Sequence, residues 1–247
     1  MPAMTDFQLL RDLRRLRAQA PPSLAPAVLA EVGLLDSYAP MDSAIGPMLV
    51  AFGTDGITAV VPAEDEAAFV ADYPARQRHP LRRVDAVPPR LLRNPRFDLR
   101  GLSEFERSVL EAARRIPAGE VRPYSWVARE IGRPAAVRAV GSALGRNPAP
   151  LLIPCHRVVR ADGHLGQYGL GPENKRVMLA SEGLDPEALE ALAASGVRYY
   201  GSDTTHVYCH PTCRHARRAT ERHRVEFRSA EAARAAGYRA CKVCRPA

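Results

Sequence analysis

The chain has 247 residues, of which 46% are hydrophobic and 25% charged, a balance that suits a packed soluble protein of one to three domains. No stretch approaches the roughly 18 apolar residues of a membrane span, and the N-terminus lacks the charged-then-apolar layout of a secretory signal, so no membrane partner and a cytoplasmic location are expected. The net charge is +8, and from Val197 onward eleven basic side chains face four acidic ones. Charge gathered in one short segment points to a polyanion, DNA or RNA first, with a solvated basic tail as the plain alternative.

Phe7 to Ala18 reads as a helix, with Leu9, Leu10, Leu13 and Leu16 on one face, and Pro21, Pro22 and Pro26 interrupt it. Met48–Phe52 and Ile57–Val61 are β-rich runs flanking Gly53-Thr54-Asp55-Gly56, a hairpin pattern. Glu64 to Tyr73 reads as a helix, and the Pro- and Arg-rich stretch from Pro74 to Arg96 as a linker. Ser103 with Glu106 forms a capping box that opens a helix to about Arg115, stopped by Pro117-Ala118-Gly119. Short helices at Tyr124–Ile131 and Ala135–Gly145 around Gly132-Arg133-Pro134 suggest a helix-turn-helix. Two more follow at Glu173–Glu182 and Pro186–Ala194, the latter closed by Gly196.

Five cysteines are present, and four of them lie in the last 39 residues. Cysteines in a cytosolic protein are poor candidates for disulfides, so the cluster reads as a metal site and Cys155 as a candidate reactive thiol. A lone cysteine is often no more than a small buried hydrophobe. Here Pro154 restrains the backbone before it, and His156 and Arg157 follow at once; a neighbouring cation favours the thiolate and a base activates it.

The run Ile153-Pro154-Cys155-His156-Arg157-Val158 resembles the active-site signature of the O6-alkylguanine-DNA alkyltransferases. The resemblance extends from about Ser103 to Gly183 through Arg138-Ala139-Val140-Gly141, Asn147-Pro148, Gly166-Gln167-Tyr168 and Lys175. It implies that Cys155 accepts the alkyl group, that His156 deprotonates it through a water, that Glu182 orients His156 and that Tyr124 protonates the departing guanine. It further implies that Asn147 braces the turn before the cysteine loop and that Arg138 replaces the extruded base. Backbone groups at Cys155, Val158 and Gly169 would read the guanine edge. Tyr168 and Lys175 complete the set assigned to the DNA side, although Lys175 also suits a role in holding the cysteine loop. A serine is common in the family where Gly169 stands. In-line attack calls for a thiolate, and hence for a depressed cysteine pKa.

Cys209-xxx-Cys213 and Cys241-xx-Cys244, 27 residues apart, have the paired spacing of a four-thiolate zinc site. The surrounding sequence resembles the zinc domain of the Ada protein, in which the first of four zinc-bound cysteines takes a methyl group from a DNA phosphotriester. The same role would fall here on Cys209; a closed structural site holding a basic DNA-binding module is the other reading. The domain order is reversed relative to Ada, and the gap between cysteine pairs is one residue longer.

The expected fold class is therefore α+β. A helical segment at 1–37 precedes an RNase H-like, β-rich subdomain with its linker at 38–98. A winged-helix-like alkyltransferase domain follows at 99–185, then a linker helix at 186–196 and an Ada-like zinc domain at 197–247. The expected function is single-turnover DNA repair by a cytoplasmic, nucleoid-associated monomer acting on double-stranded DNA with alkylated bases, O6-alkylguanine first and O4-alkylthymine second. A non-catalytic lesion binder or zinc-dependent regulator is the alternative.

Overall fold

The computed structural model describes residues 24–246, so the helix expected at 7–18 lies outside them. Helix α1 (Leu24–Glu31) precedes an antiparallel meander of β1 (Asp36–Met41), β2 (Met48–Phe52) and β3 (Ile57–Pro62). The apolar, β-branched runs of β2 and β3 bury both faces of the sheet centre. Their turn needs glycine: Gly56 has φ +137°, and a Cβ there would lie 2.5 Å from the Arg96 carbonyl oxygen.

The stretch expected to be a linker is structured. Helix α2 (Glu66–Gln77) carries Pro74 inside it and ends on Arg78 in the left-handed region. Strand β4 (Leu81–Arg83) then pairs parallel to β1, giving the order β3-β2-β1-β4, and α3 (Pro89–Arg93) follows. β4 is a three-residue edge strand with two exposed arginines, so it has no apolar alternation to betray it; backbone pairing with β1 holds it.

The central domain begins with α4 (Glu104–Arg114), capped by the Ser103–Glu106 box and burying Val109, Leu110, Ala112 and Ala113. Two short helices, α5 (Tyr124–Glu130) and α6 (Val137–Gly145), pack on it around a turn with Gly132 at φ +70°. Trp126, Val127 and Ala128 of α5 and Val140, Ala143 and Leu144 of α6 are buried, which confirms the helix-turn-helix as a helix pair with one shared core. A minimal parallel ladder joins β5 (Arg122–Pro123) to β6 (Val158–Val159). The single turn of 3₁₀ helix at Cys155–Arg157 sits between α6 and β6. Helices α7 (Pro172–Ser181) and α8 (Pro186–Ala194) close the domain, the second capped by the Asp185 side chain.

The C-terminal domain is a sheet of order β10-β8-β7-β9, built from β7 (Tyr199–Ser202), β8 (Val207–Cys209), β9 (Arg224–Phe227) and β10 (Arg239–Ala240), with α9 (Ala230–Ala235) against it. Its apolar core is only Tyr208, Phe227, Ala230, Ala233 and Tyr238 with a few partly buried neighbours. So small a core rarely sustains a fold unaided, which makes a second source of stability necessary. Among the described residues no helix is long and apolar enough to cross a membrane. The mixed helix-and-strand architecture agrees with the α+β class read from the sequence.

Candidate active site and metal centre

Cys155 opens the 3₁₀ turn and is 8% exposed. Asn147, just after α6, ties that turn down. Its amide nitrogen donates to the Ile153 carbonyl at 2.9 Å and to the Cys155 sulfur at 3.1 Å, while its oxygen accepts from Ala149 N at 3.1 Å. The same side chain therefore shapes the loop and contacts the thiol. A depressed thiol pKa is expected from the neighbouring residues, and the structure gives the reverse. Burial pushes Cys155 up, and the opposing pull of the Asn147 amide and the Lys175 charge does not overcome it. Attack from the thiol form requires its proton to leave during the reaction.

The next residue is His156. It is fully buried, and its Nε2 lies 2.8 Å from Glu182 Oε1. A carboxylate only accepts, so Nε2 carries a proton, and Nδ1 has no hydrogen-bond partner among the described residues. Burial alone would raise Glu182, but hydrogen bonds from His156 and then Arg157 hold its carboxyl down at about 2. Arg157 donates from Nε to both carboxylate oxygens at 3.0 Å and from Nη2 at 2.7 Å, and Gly119 N adds a bond of 3.1 Å. From the sequence Arg157 is only a nearby cation. Its place as clamp on Glu182 was not legible there, because the carboxylate lies 25 residues away.

Tyr124, the first residue of α5, Gly141, Leu144 and Gly145 of α6, and Gln167, Tyr168 and Gly169 enclose a pocket of about 210 Å³ with Cys155 on its wall. Burial, and secondarily the proximity of Cys155, raises the Tyr124 phenol, so it keeps its proton at neutral pH. Tyr168 packs edge-on to His156 with ring centroids 6.2 Å apart. Gly169 is exposed at the rim, and its amide donates to no carbonyl among the described residues, so it is free to meet a ligand. The Val158 carbonyl already accepts from Lys175 Nζ at 2.6 Å and retains one lone pair. Arg138 stands exposed near the start of α6, clear of the pocket lining.

Lys175, expected on the DNA side, lies instead in the interior. It is 1% exposed and donates to the carbonyls of Val158, Leu165 and Gln167, at 2.6, 2.6 and 3.3 Å. Burial lowers it to about 8, against the pull of the Cys155 and Glu190 charges. A side chain so enclosed ties the loop after the cysteine; it does not reach a duplex.

In the C-terminal domain Cys209, Cys213, Cys241 and Cys244 are all buried, and their sulfurs lie within 4.8 Å of one another. An ideal tetrahedron with Zn–S bonds of about 2.3 Å has edges of about 3.8 Å, so the donor set fits a four-coordinate thiolate site. Among themselves the sulfurs compete for protons. Hydrogen bonds to Cys213 and Cys244 push Cys209 up, while those from Cys209 and Cys244 hold Cys213 down. A bound divalent cation resolves that conflict. Cys209 and Cys241 line an outer cleft of about 600 Å³ rimmed by His215, Arg218, Arg239 and Lys242; Cys213 and Cys244 do not line it.

The fold and these two sites define an alkyltransferase-type domain followed by a metal-binding one. Residues 104–184 match the family model for the 6-O-methylguanine DNA methyltransferase DNA binding domain, and residues 190–247 match that for the metal binding domain of Ada. A methylated-DNA--protein-cysteine methyltransferase of Methanosarcina acetivorans is 36% identical over 162 residues, which cover 59% of this chain and 97% of that protein. The bifunctional transcriptional activator/DNA repair enzyme Ada of Escherichia coli is 36% identical over 164 residues, 61% of this chain and 46% of that one. The crystal structure of Mycobacterium tuberculosis OGT in complex with DNA matches with TM-score 0.50 and 31% identity over 59% of this chain and 92% of that chain. The chain thus belongs to the methylated-DNA--protein-cysteine methyltransferase family. Its four-cysteine cluster is a zinc site of the Ada type. The chain spans about half the length of the first curated relatives it matches.

Proposed function

We propose that this protein repairs duplex DNA by moving an alkyl group from O6-alkylguanine, and secondarily O4-alkylthymine, onto Cys155. The observation that carries this is the chain Cys155–His156–Glu182 beside a pocket that also presents Tyr124. A carbon on guanine oxygen is displaced when the Cys155 sulfur forms the S–C bond and the C–O bond breaks. His156 Nδ1 takes the thiol proton through a water, and the Glu182 carboxylate stabilises the imidazolium that forms. The Tyr124 phenol protonates the departing base. The target lies inside the duplex, so it must be flipped out, at a cost of a few kcal/mol, and Arg138 on α6 offsets part of this by filling the gap. The thioether product has no hydrolysable bond, so each molecule acts once. The protein works as a monomer on DNA in the cytoplasm.

A duplex carrying radiolabelled O6-methylguanine tests the reading. Label moves to protein once per molecule, and Cys155→Ala abolishes it. Undiminished transfer in that variant sinks the proposal, and with no transfer in the natural chain the alternative of a non-catalytic lesion binder gains.

A second reaction is favoured by the outer cleft. Zinc, when bound, keeps the thiols ionised at neutral pH. Cys209 faces a cleft rimmed by cations, the right surroundings for a DNA backbone carrying one neutral methylphosphotriester. Attack by its sulfur on the phosphotriester methyl would leave an ordinary phosphodiester anion. Mass spectrometry of the zinc-loaded protein after exposure to a methylphosphotriester duplex should place the methyl on Cys209; absence there leaves the site structural.

A further inference from the structure

The segment from Gly119 to Trp126 touches the reacting groups with some of its residues and the zinc domain with the others. Toward the reacting groups, Gly119 N donates to Glu182 Oε2 at 3.1 Å. Arg122 and Pro123 pair with Val158 and Val159, the first residues beyond the cysteine turn, and Tyr124 faces Cys155 across the pocket. Toward the zinc domain, Glu120 Oε1 accepts from Arg214 N at 3.0 Å, and Val121 N donates to Thr212 Oγ1 at 2.9 Å. Trp126 Nε1 donates to the main-chain carbonyl of Cys244 at 2.9 Å.

The partners on the zinc side are telling. Thr212 and Arg214 flank Cys213, and Cys244 is itself a ligand, so all three ties are anchored on the metal centre or next to it. Beneath them Glu120 and Arg122 form an ion pair, each 2% exposed, and the Arg122 guanidinium lies 5.9 Å from the Trp126 ring centroid. A buried pair of charges is costly unless its other hydrogen-bonding groups are met; Arg214 N meets one on Glu120 and the Val121 carbonyl one on Arg122, while Arg122 Nε has no partner among the described residues.

We infer that Thr212, Trp126 and Glu120 are positioning residues, through which the zinc-assembled C-terminal domain holds Tyr124 and the cysteine turn in register for alkyl transfer. The inference rests on the reading of Cys155 given above. With its small core the domain depends on the metal for its fold. Releasing the metal frees the Cys244 carbonyl and the Thr212 hydroxyl, and the 119–126 segment loses one of its two walls. Displacements of about 1 Å at reacting groups can lower rates by about 10²-fold, so a loosened segment matters even though the cysteine loop has its own ties.

Trp126 is the sole tryptophan of the chain, so its emission reports the surroundings of this contact. The full chain is stripped of zinc with a chelator and then reloaded with a zinc salt. Methyl transfer from an O6-methylguanine duplex is timed at saturating DNA, where any lost DNA contact of the zinc domain no longer enters. Stripping should shift Trp126 emission to the red and slow transfer about tenfold or more, and zinc should restore both. Since stripping unfolds the small domain, Thr212→Val supplies a milder cut with zinc retained. It should slow transfer about threefold or more at saturating DNA, and Thr212→Ser, which keeps the hydroxyl, should match the natural chain. Rates within twofold of the zinc-loaded natural chain, in both the stripped protein and Thr212→Val, overturn the inference. A zinc-loaded natural chain that transfers no methyl, while its emission still answers to zinc, overturns instead the reading of Cys155 on which the inference stands.

Discussion

Replacing Glu182 by glutamine keeps the shape of the His156 support and removes its charge. Two consequences can be sized. The first is on the reaction: at an effective dielectric of about 20, opposite charges about 4 Å apart attract by about 4 kcal/mol. His156 Nε2 sits 2.8 Å from the carboxylate, but Arg157 shares the same oxygens and neutralises part of it. Roughly 2–3 kcal/mol then remains to stabilise the imidazolium, so single-turnover methyl transfer should slow about 10²-fold. The second is on stability. The carboxyl is held at about 2 in the fold against an ordinary 4.5, so its contribution is fully present above 4.5 and is lost as pH falls through 2. The 2.5-unit difference corresponds to about 3 kcal/mol, of which about 2 kcal/mol is gone by pH 3. Urea unfolding of the natural chain and Glu182→Gln should show a stability gap that is widest above pH 5 and narrows by about 2 kcal/mol at pH 3. A folded Glu182→Gln protein that transfers methyl within threefold of the natural rate, with a pH-independent stability gap, would refute the argument.

Three further outcomes are expected. Lys175→Met strands three carbonyls that now share one buried ammonium, and should lower the unfolding free energy by about 3 kcal/mol in urea melts; an unchanged midpoint would return Lys175 to the DNA side. Glu120→Gln leaves the Arg122 guanidinium as an uncompensated charge at 2% exposure, and should cost about 3–5 kcal/mol by denaturant titration, where a loss under about 1 kcal/mol would mean that water reaches the pair. Arg138→Ala should slow repair in duplex DNA by about tenfold and leave single-stranded substrate untouched, because only the duplex has a stacking gap to fill; equal slowing on both would assign Arg138 to phosphate contacts.

What could be read beforehand was local. The Ser103–Glu106 box and the apolar stripe behind it locate α4, and a glycine turn between two short apolar-faced helices marks α5 and α6. The cysteine turn is a contiguous run, and the zinc ligands announce themselves by spacing. The edge of the N-terminal sheet could not be read in this way. β1 holds Asp36 and Pro40, poor strand residues, and β4 is three residues with two exposed arginines; both exist because the neighbouring strand supplies their partners. The contacts of Glu120, Val121 and Trp126 with the zinc domain span 91 to 118 residues and repeat with no period, so no window of sequence contains them.

The cysteine pKa shows how such a distant effect reverses a local argument. His156 and Arg157 beside Cys155 pointed to a thiolate at rest. In the fold, however, Arg157 turns to Glu182, His156 Nε2 lies 2.8 Å from the same carboxylate, and burial pushes the thiol up. For an acceptor that is spent after one transfer this is the more useful state. A standing thiolate would react with any small electrophile that reached it, whereas a neutral, 8% exposed thiol is poorly nucleophilic until a base removes its proton. Under the proposed mechanism that removal would accompany binding of a substrate base in the adjoining pocket. Cys209 is also buried, at 3% exposure, and differs in that zinc, when bound, would keep its sulfur ionised. Exposure to a small soluble methylating agent in the absence of DNA should therefore modify Cys209 well before Cys155, as read by mass spectrometry of the two tryptic peptides; the reverse order would show that Cys155 is ionised at rest and that its burial does not protect it.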